Sequence, residues 1–155
     1  MPDDWNSVVE CLRSISQLPN ALLVIAGERG AGKTKMAKAL AEAGLGQYIN
    51  LSLVLARHLA NQDDPTAMVR PSDMAQHLTR MTSSSLVILD NIEALFQAEL
   101  NLDVLWWVRQ VARDIALVIV WPGSVVHGEF SYSMPNRRDY YHSREPSLRV
   151  INLES

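Results

Sequence analysis

Two stretches of this chain hold residue types at spacings that suit phosphate chemistry. The first is Gly27-Glu28-Arg29-Gly30-Ala31-Gly32-Lys33-Thr34, a glycine, four residues, then glycine, lysine and threonine. Glycines let backbone N–H groups turn inward onto an anion, and the start of a following helix adds partial positive charge. In that arrangement Lys33 reaches the β- and γ-phosphates of a nucleotide and the Thr34 hydroxyl binds Mg²⁺. The expected nucleotide-binding residues are Gly27, Glu28, Arg29, Gly30, Ala31, Gly32, Lys33, Thr34 and Lys35. The second stretch, Leu86-Val87-Ile88-Leu89-Asp90-Asn91, is four apolar residues running into an acid. If it forms a strand of a parallel sheet, Asp90 emerges at the carboxyl end, where the ligands of such sheets gather. There it holds the water shell of the same Mg²⁺, so Thr34 and, through water, Asp90 are the expected metal residues.

A glycine loop works in this way only between a strand and a helix. Residues 21–26 are an unbroken apolar run, as expected for a buried parallel strand covered on both faces. Residues 33–43 have Met36, Ala37, Leu40 and Ala41 at helical spacing, with Gly44 as the stop. Ahead of them, Asp3 is placed to cap a helix whose apolar stripe is Trp5, Val8, Val9, Leu12 and Ile15, ending before Pro19. Beyond the loop unit, Gln47-Tyr48-Ile49-Asn50 reads as a short strand and residues 51–60 as a helix. Residues 61–66 read as a loop, and a helix begins near Ser72 and gives way at Ser83. A helix at 102–113 and a strand at 116–121 follow, and Arg149-Val150-Ile151-Asn152-Leu153 reads as the last strand. Alternating strands and helices predict an α/β fold with a five-stranded, mostly parallel sheet and helices on both faces, a three-layer sandwich.

The chain has 155 residues, enough for one domain with its own core, and residues 1–155 are read as one unit with residues 1–18 a helix packed on it. Apolar residues make up 48% and charged residues 20%, a globular balance. A net charge of -3 argues against nucleic-acid binding by the whole surface. The single cysteine, Cys11, forms neither an internal disulfide nor a zinc site. No apolar run approaches the ~18–20 residues that span a bilayer, and no secretory signal is visible, so the cytoplasm is the expected location.

Between Thr34 and Asp90 there is room for one more strand and two helices. That order resembles the additional-strand class of P-loop NTPases, including the AAA+ proteins. The resemblance implies ATP and Mg²⁺ as cofactors and ATP hydrolysis as the activity. AAA+ enzymes usually place a glutamate directly after the strand-end aspartate to activate water. Here that residue is Asn91, an amide able to position a water but not to accept its proton; Glu93 substitutes if the strand exit turns it inward. The resemblance therefore implies tight ATP binding with slow hydrolysis. It also implies a polar sensor, for which Ser124 is nearest, and an arginine before the last strand that reaches a neighbouring subunit's nucleotide, for which Arg137, Arg138 and Arg144 are candidates. Lys33, Asp90, Asn91, Glu93, Arg137 and Arg138 are thus the expected catalytic set. At Ser155, where the C-terminal helical lid of an AAA+ protein would begin, the chain ends, so a lidless pocket closed by another copy or another protein is expected.

On the helix at 102–113, Val104, Val108, Val111 and Ile115 share one face, and Leu102, Trp106, Arg109 and Arg113 share the opposite one, a candidate interface. Residues 130–149 interleave Phe130, Tyr132, Tyr140 and Tyr141 with arginines, a composition that can stack on single-stranded DNA, although Glu129, Asp139 and Glu145 offset the charge. The length, the G-E-R-G-A-G-K-T loop, the L-V-I-L-D-N-I-E segment and the lidless ending together resemble the BrxF family, small P-loop proteins of type 3 bacteriophage-exclusion (BREX) defence systems. That resemblance implies a bacterial ATPase working with other defence components on phage DNA. The alternatives are a DnaA-related replication-initiation regulator, a small-metabolite kinase and a pseudo-ATPase scaffold.

Overall fold

The computed structural model describes residues 4–59 and 70–154. Their order is α1 (Trp5–Ile15), β1 (Leu22–Gly27), α2 (Lys33–Glu42), β2 (Gln47–Asn50), α3 (Leu51–Leu59), α4 (Pro71–Met81) and β3 (Leu86–Asp90). Two 3₁₀ turns (Ile92–Phe96 and Ala98–Leu100) lead into α5 (Val104–Ala112) and β4 (Ala116–Val120). The chain then forms β5 (Ser124–Val126), β6 (Glu129–Tyr132), β7 (Tyr141–Arg144) and finally β8 (Val150–Leu153).

Five strands make one parallel sheet in the order β2-β3-β4-β1-β8. The unbroken apolar runs are explained by what covers them. In β1, Leu22, Val24 and Ala26 face a core shared with α4 and α5, whereas Leu23 and Ile25 face a second core shared with α1 and α2. In β3, Val87 and Leu89 face the first core and Leu86 and Ile88 the second. Both β1 and β3 contribute side chains to both layers, so neither is polar until its end. This is the three-layer α/β sandwich expected from the alternation of elements.

Helix boundaries follow local chemistry. α2 stops in a Schellman motif: Gly44, at φ +78°, donates its N–H to the Ala41 carbonyl, and Leu45 N–H returns to Leu40 at 3.0 Å. Pro71 occupies the first turn of α4, where its missing N–H leaves no bond unmade. α5 is capped by Asp103, whose carboxylate accepts the Trp106 N–H at 3.3 Å. At the amino end, Asp3 lies outside the described residues and so does the loop read at 61–66. The residue before α1 is Asp4, which makes no side-chain cap and accepts the Glu154 N–H instead.

The stretch after β4 departs from the expected reading. Residues 124–144 form a second, antiparallel sheet in the order β5-β6-β7. β5 and β6 are joined by the two-residue turn His127-Gly128, at φ +50° and +79°. Positive φ at both positions matches the right-handed twist of a tight hairpin. Gly128 is held there for a second reason, since a Cβ would lie 2.8 Å from Pro146 Cα.

Candidate nucleotide site

The glycine loop leaves β1 and enters α2 at the carboxyl end of the parallel sheet. Gly27 is packed so closely that a Cβ would meet the Leu153 carbonyl oxygen at 3.0 Å and Ala31 Cβ at 3.1 Å. Gly32, at φ +90°, turns the chain into the helix, a conformation that other residues reach only with strain. The first N–H groups of α2 have no carbonyl partner within the helix and face the end of the sheet, which is what an anion requires.

Side chains from three elements meet there, joined by two backbone groups. Thr34 Oγ1 donates to Asp90 Oδ2 at 2.7 Å, across 56 residues of chain. Tyr48 donates its hydroxyl to the same oxygen at 2.7 Å, and Asn91 N–H donates to Asp90 Oδ1 at 2.8 Å. Asp90 is only 3% exposed, the one buried charged side chain among the described residues. Three donors offset the desolvation that such burial imposes on a carboxylate. Burial, followed by the hydrogen bond to Asp90, pushes the Tyr48 phenol above its ordinary range. Lys33 Nζ donates to the Trp121 carbonyl at 2.8 Å. Partial burial lowers the lysine's pKa, and Asp90 and Glu93 oppose that shift.

All of these groups except Tyr48 border a cavity of about 640 Å³. Of the loop residues, Arg29, Gly30, Gly32, Lys33, Thr34 and Lys35 line it, and Gly27, Glu28 and Ala31 do not. Asp90, Asn91 and Glu93 form the opposite wall, with Trp121, Pro122 and Tyr132 beside them. Asn91 adopts φ +55°, a left-handed turn that directs the next residues into the 3₁₀ segment carrying Glu93. The strand exit does turn Glu93 toward the cavity. Among the described residues no group of three or more His, Cys, Asp or Glu could cage a metal. Magnesium fits this donor set, because it keeps several waters and is held by one or two protein oxygens together with phosphates.

Residues 23–105 match the profile of the ATPase family associated with various cellular activities (AAA). The chain belongs to the AAA family. This AAA domain thus has the P-loop NTPase fold expected from its motifs, and its nucleotide-binding ATPase character follows from the family. No match to a curated protein was found.

Other expected residues of the AAA domain stand elsewhere. Arg137 and Arg138 lie between β6 and β7, with side chains 67% and 84% exposed, paired loosely with Asp139 at 3.6 Å and Glu99 at 3.5 Å. They line a separate cavity of about 360 Å³ and are not in the wall of the one beside Lys33 and Asp90, although Arg137 acts electrostatically on Tyr132 of that wall. Arg144 is exposed on β7. Ser124 is on β5, hydrogen-bonded to Ser131 at 2.8 Å, and is not part of the cavity wall.

The aromatic segment read as a DNA-stacking surface is largely engaged in packing, with one ring buried, two half-buried and one exposed. Phe130 is buried, Tyr132 stacks on Phe96 at 4.1 Å, and Tyr141 donates to Asp103 at 2.8 Å; only Tyr140 is exposed. The second sheet recruits these rings around Trp121, which stands edge-on to Phe96 and Phe130 and donates its indole N–H to the Ser131 carbonyl. That cluster fixes the carbonyl that receives Lys33. On α5, Trp106 is 50% exposed as expected, but Leu102 packs against the core and Arg109 is taken by Glu145 at 2.8 Å.

Two contributors escaped the sequence reading. Tyr48 carries no motif and reaches Asp90 across 42 residues. Trp121 acts through its backbone, which no side-chain pattern reports.

Proposed function

We propose that this AAA domain binds ATP with Mg²⁺ in the cavity between the glycine loop and β3, hydrolyses it slowly, and uses the bound nucleotide to drive self-assembly as a switch. The observation that carries the reading is the 2.7 Å hydrogen bond from Thr34 to Asp90, which sets a metal-binding hydroxyl against a buried carboxylate in the same cavity as Lys33. Magnesium, when bound, supplies charge neutralisation at the β- and γ-phosphates. The loop N–H groups hold the phosphates, Lys33 exchanges the Trp121 carbonyl for a phosphate oxygen, and Asp90 orients water on the metal. Slow hydrolysis follows from Asn91, which orients water without taking its proton. A positioned base contributes about 10²–10⁴-fold, and Glu93 is the residue in the cavity able to act as one.

Arg137 and Arg138 are exposed and absent from the wall of the cavity beside Lys33, which suits a role at a second copy's γ-phosphate. Among the described residues no helix is long and apolar enough to cross a membrane. A role in bacteriophage exclusion, with other defence components as partners, rests on the sequence resemblance. Contact with DNA has the least support, because Phe130 is buried and Tyr132 and Tyr141 are packed against the core on one face. Titration calorimetry tests the core reading: ATP binding that strengthens with Mg²⁺ and vanishes in Lys33→Ala supports it. Light scattering with and without Mg²⁺-ATP tests assembly, and a particle of monomer mass throughout contradicts the switch. Transfer of phosphate to a metabolite would instead make the protein a kinase.

A further inference from the structure

We infer that Tyr48 is a positioning residue for the magnesium site, its hydroxyl fixing the Asp90 carboxylate so that the Thr34 hydroxyl hydrogen stays on Asp90 and the Thr34 lone pairs remain for the metal. The inference rests on the Mg²⁺-ATP reading above and adds to it a residue outside both phosphate motifs.

An ionised carboxylate only accepts, so both hydroxyls on Asp90 Oδ2 act as donors. Thr34 has one hydroxyl hydrogen, and at 2.7 Å from Asp90 that hydrogen is committed. Its lone pairs then point away from Asp90. A carboxylate offers about four acceptor positions. Thr34, Tyr48 and Asn91 N–H occupy three, two on Oδ2 and one on Oδ1. The position left on Oδ1 is available to a water of the metal's shell. Without Tyr48, two donors on two different oxygens hold the carboxylate, which then has more freedom to rotate and to release Thr34.

The phenol is itself firmly mounted. β2 pairs with β3 so that Tyr48 lies opposite Ile88 and Asn50 opposite Asp90, which sets the ring one pleat back from the acid. Its ring packs against the core beneath α2, and Lys38 Nζ stands 5.5 Å from the ring centroid. Outer partners of metal-ligand groups are worth roughly 10–100-fold in metal affinity when removed. Acting through Asp90 and a water, Tyr48 falls at the lower end of that range.

Tyr48→Phe keeps the ring and its packing and removes only the hydroxyl, which donates to Asp90 and also meets the Asn91 side chain. ATP affinity is measured by calorimetry across a Mg²⁺ series and in EDTA, on full-length wild type and variant, with thermal melting as the check on folding. The expected result is about a tenfold rise in the Mg²⁺ concentration for half-maximal enhancement of binding, with ATP affinity in EDTA unchanged. In an Asp90→Ala background, which has no acceptor for the phenol, the same substitution should add nothing to the Mg²⁺ dependence. A Mg²⁺ dependence equal to that of wild type overturns the inference, as does an equal loss with and without the metal, which would mark a merely structural role. Wild type that binds no ATP in either condition overturns the underlying nucleotide reading, and that is seen before any substitution is made.

Discussion

Two side-chain clusters tie distant segments of this molecule together, and they differ in depth. Around Asp90, at 3% exposure, donors from α2, β2 and the strand exit meet one carboxylate at 2.7 to 2.8 Å. On the far flank, Arg109 of α5 grips Glu145 at a similar 2.8 Å, but the two side chains are 40% and 31% exposed. Equal distances do not mean equal energies. In the first cluster each donor lost leaves a partner in a poorly hydrated site, a penalty of about 1–3 kcal/mol per group. In the second, water and salt stand in for whatever is removed, and such pairs contribute roughly 0–1 kcal/mol. Arg109 Nε is the exception there, buried and without a hydrogen-bond partner. A nucleotide site needs the first kind of cluster, since only a fixed carboxylate holds a hydrated cation in one place.

The largest effect is expected from Asp90→Ala, which takes the acceptor from the half-buried Tyr48 hydroxyl and Asn91 N–H and leaves the exposed Thr34 hydroxyl to water. It should lower stability by about 3 kcal/mol and the melting temperature by roughly 6–12 °C, read by calorimetric melting. A loss under about 1 kcal/mol would mean that water already reaches the cluster. Tyr141→Phe ranks next, removing the donor to Asp103 at 2.8 Å and the acceptor of the Leu105 N–H at 3.2 Å. Chemical denaturation should show a loss of about 1–1.5 kcal/mol.

The same phenol gives a pH signature. Burial is the main cause that raises Tyr141 to about 12, against roughly 10 unfolded. The folded chain keeps this proton to higher pH, so the stability it confers is complete below about pH 10 and is lost as pH climbs toward 12. Denaturation from pH 9 upward should show a shallower alkaline decline in Tyr141→Phe than in wild type. Glu145→Ala should cost less than about 1 kcal/mol, and that difference should vanish in molar salt. A cost equal to that of Asp90→Ala would break the comparison outright. The smallest effect on stability belongs to Arg137→Ala, whose side chain is largely exposed: no shift in melting, but a loss of any concentration-dependent ATP hydrolysis.

What could be read in the sequence was local. The glycine loop is contiguous, and β1 and β3 are apolar throughout because both their faces are covered, so spacing and hydropathy located Lys33, Thr34 and Asp90 before any coordinates. Glu93 depended on one dihedral, the left-handed turn at Asn91, which residue type permits but does not dictate. β5, β6 and β7 were hidden because three- and four-residue strands mixing Ser, Glu, Tyr and Arg have no clear period, and His-Gly is a weaker hairpin signal than Asn-Gly. That sheet altered the reading of its own segment, taking Phe130, Tyr132 and Tyr141 from a supposed binding surface into packing around Trp121. Tyr48 and Arg109 have partners 42 and 36 residues away, and neither partner is implied by the neighbours of either residue.

The central claim is that the cavity beside the Asp90 cluster takes magnesium and a nucleoside triphosphate. Thermal melting of wild type and Lys33→Ala, each with saturating ATP in Mg²⁺ or in EDTA, tests it directly. At a hundredfold excess over the dissociation constant a ligand adds about 2.7 kcal/mol. The wild type should therefore melt several degrees higher with Mg²⁺-ATP, less so in EDTA, and Lys33→Ala should not respond to either. A wild type unmoved by Mg²⁺-ATP, or a Lys33→Ala protein stabilised as much as the wild type, would contradict the account.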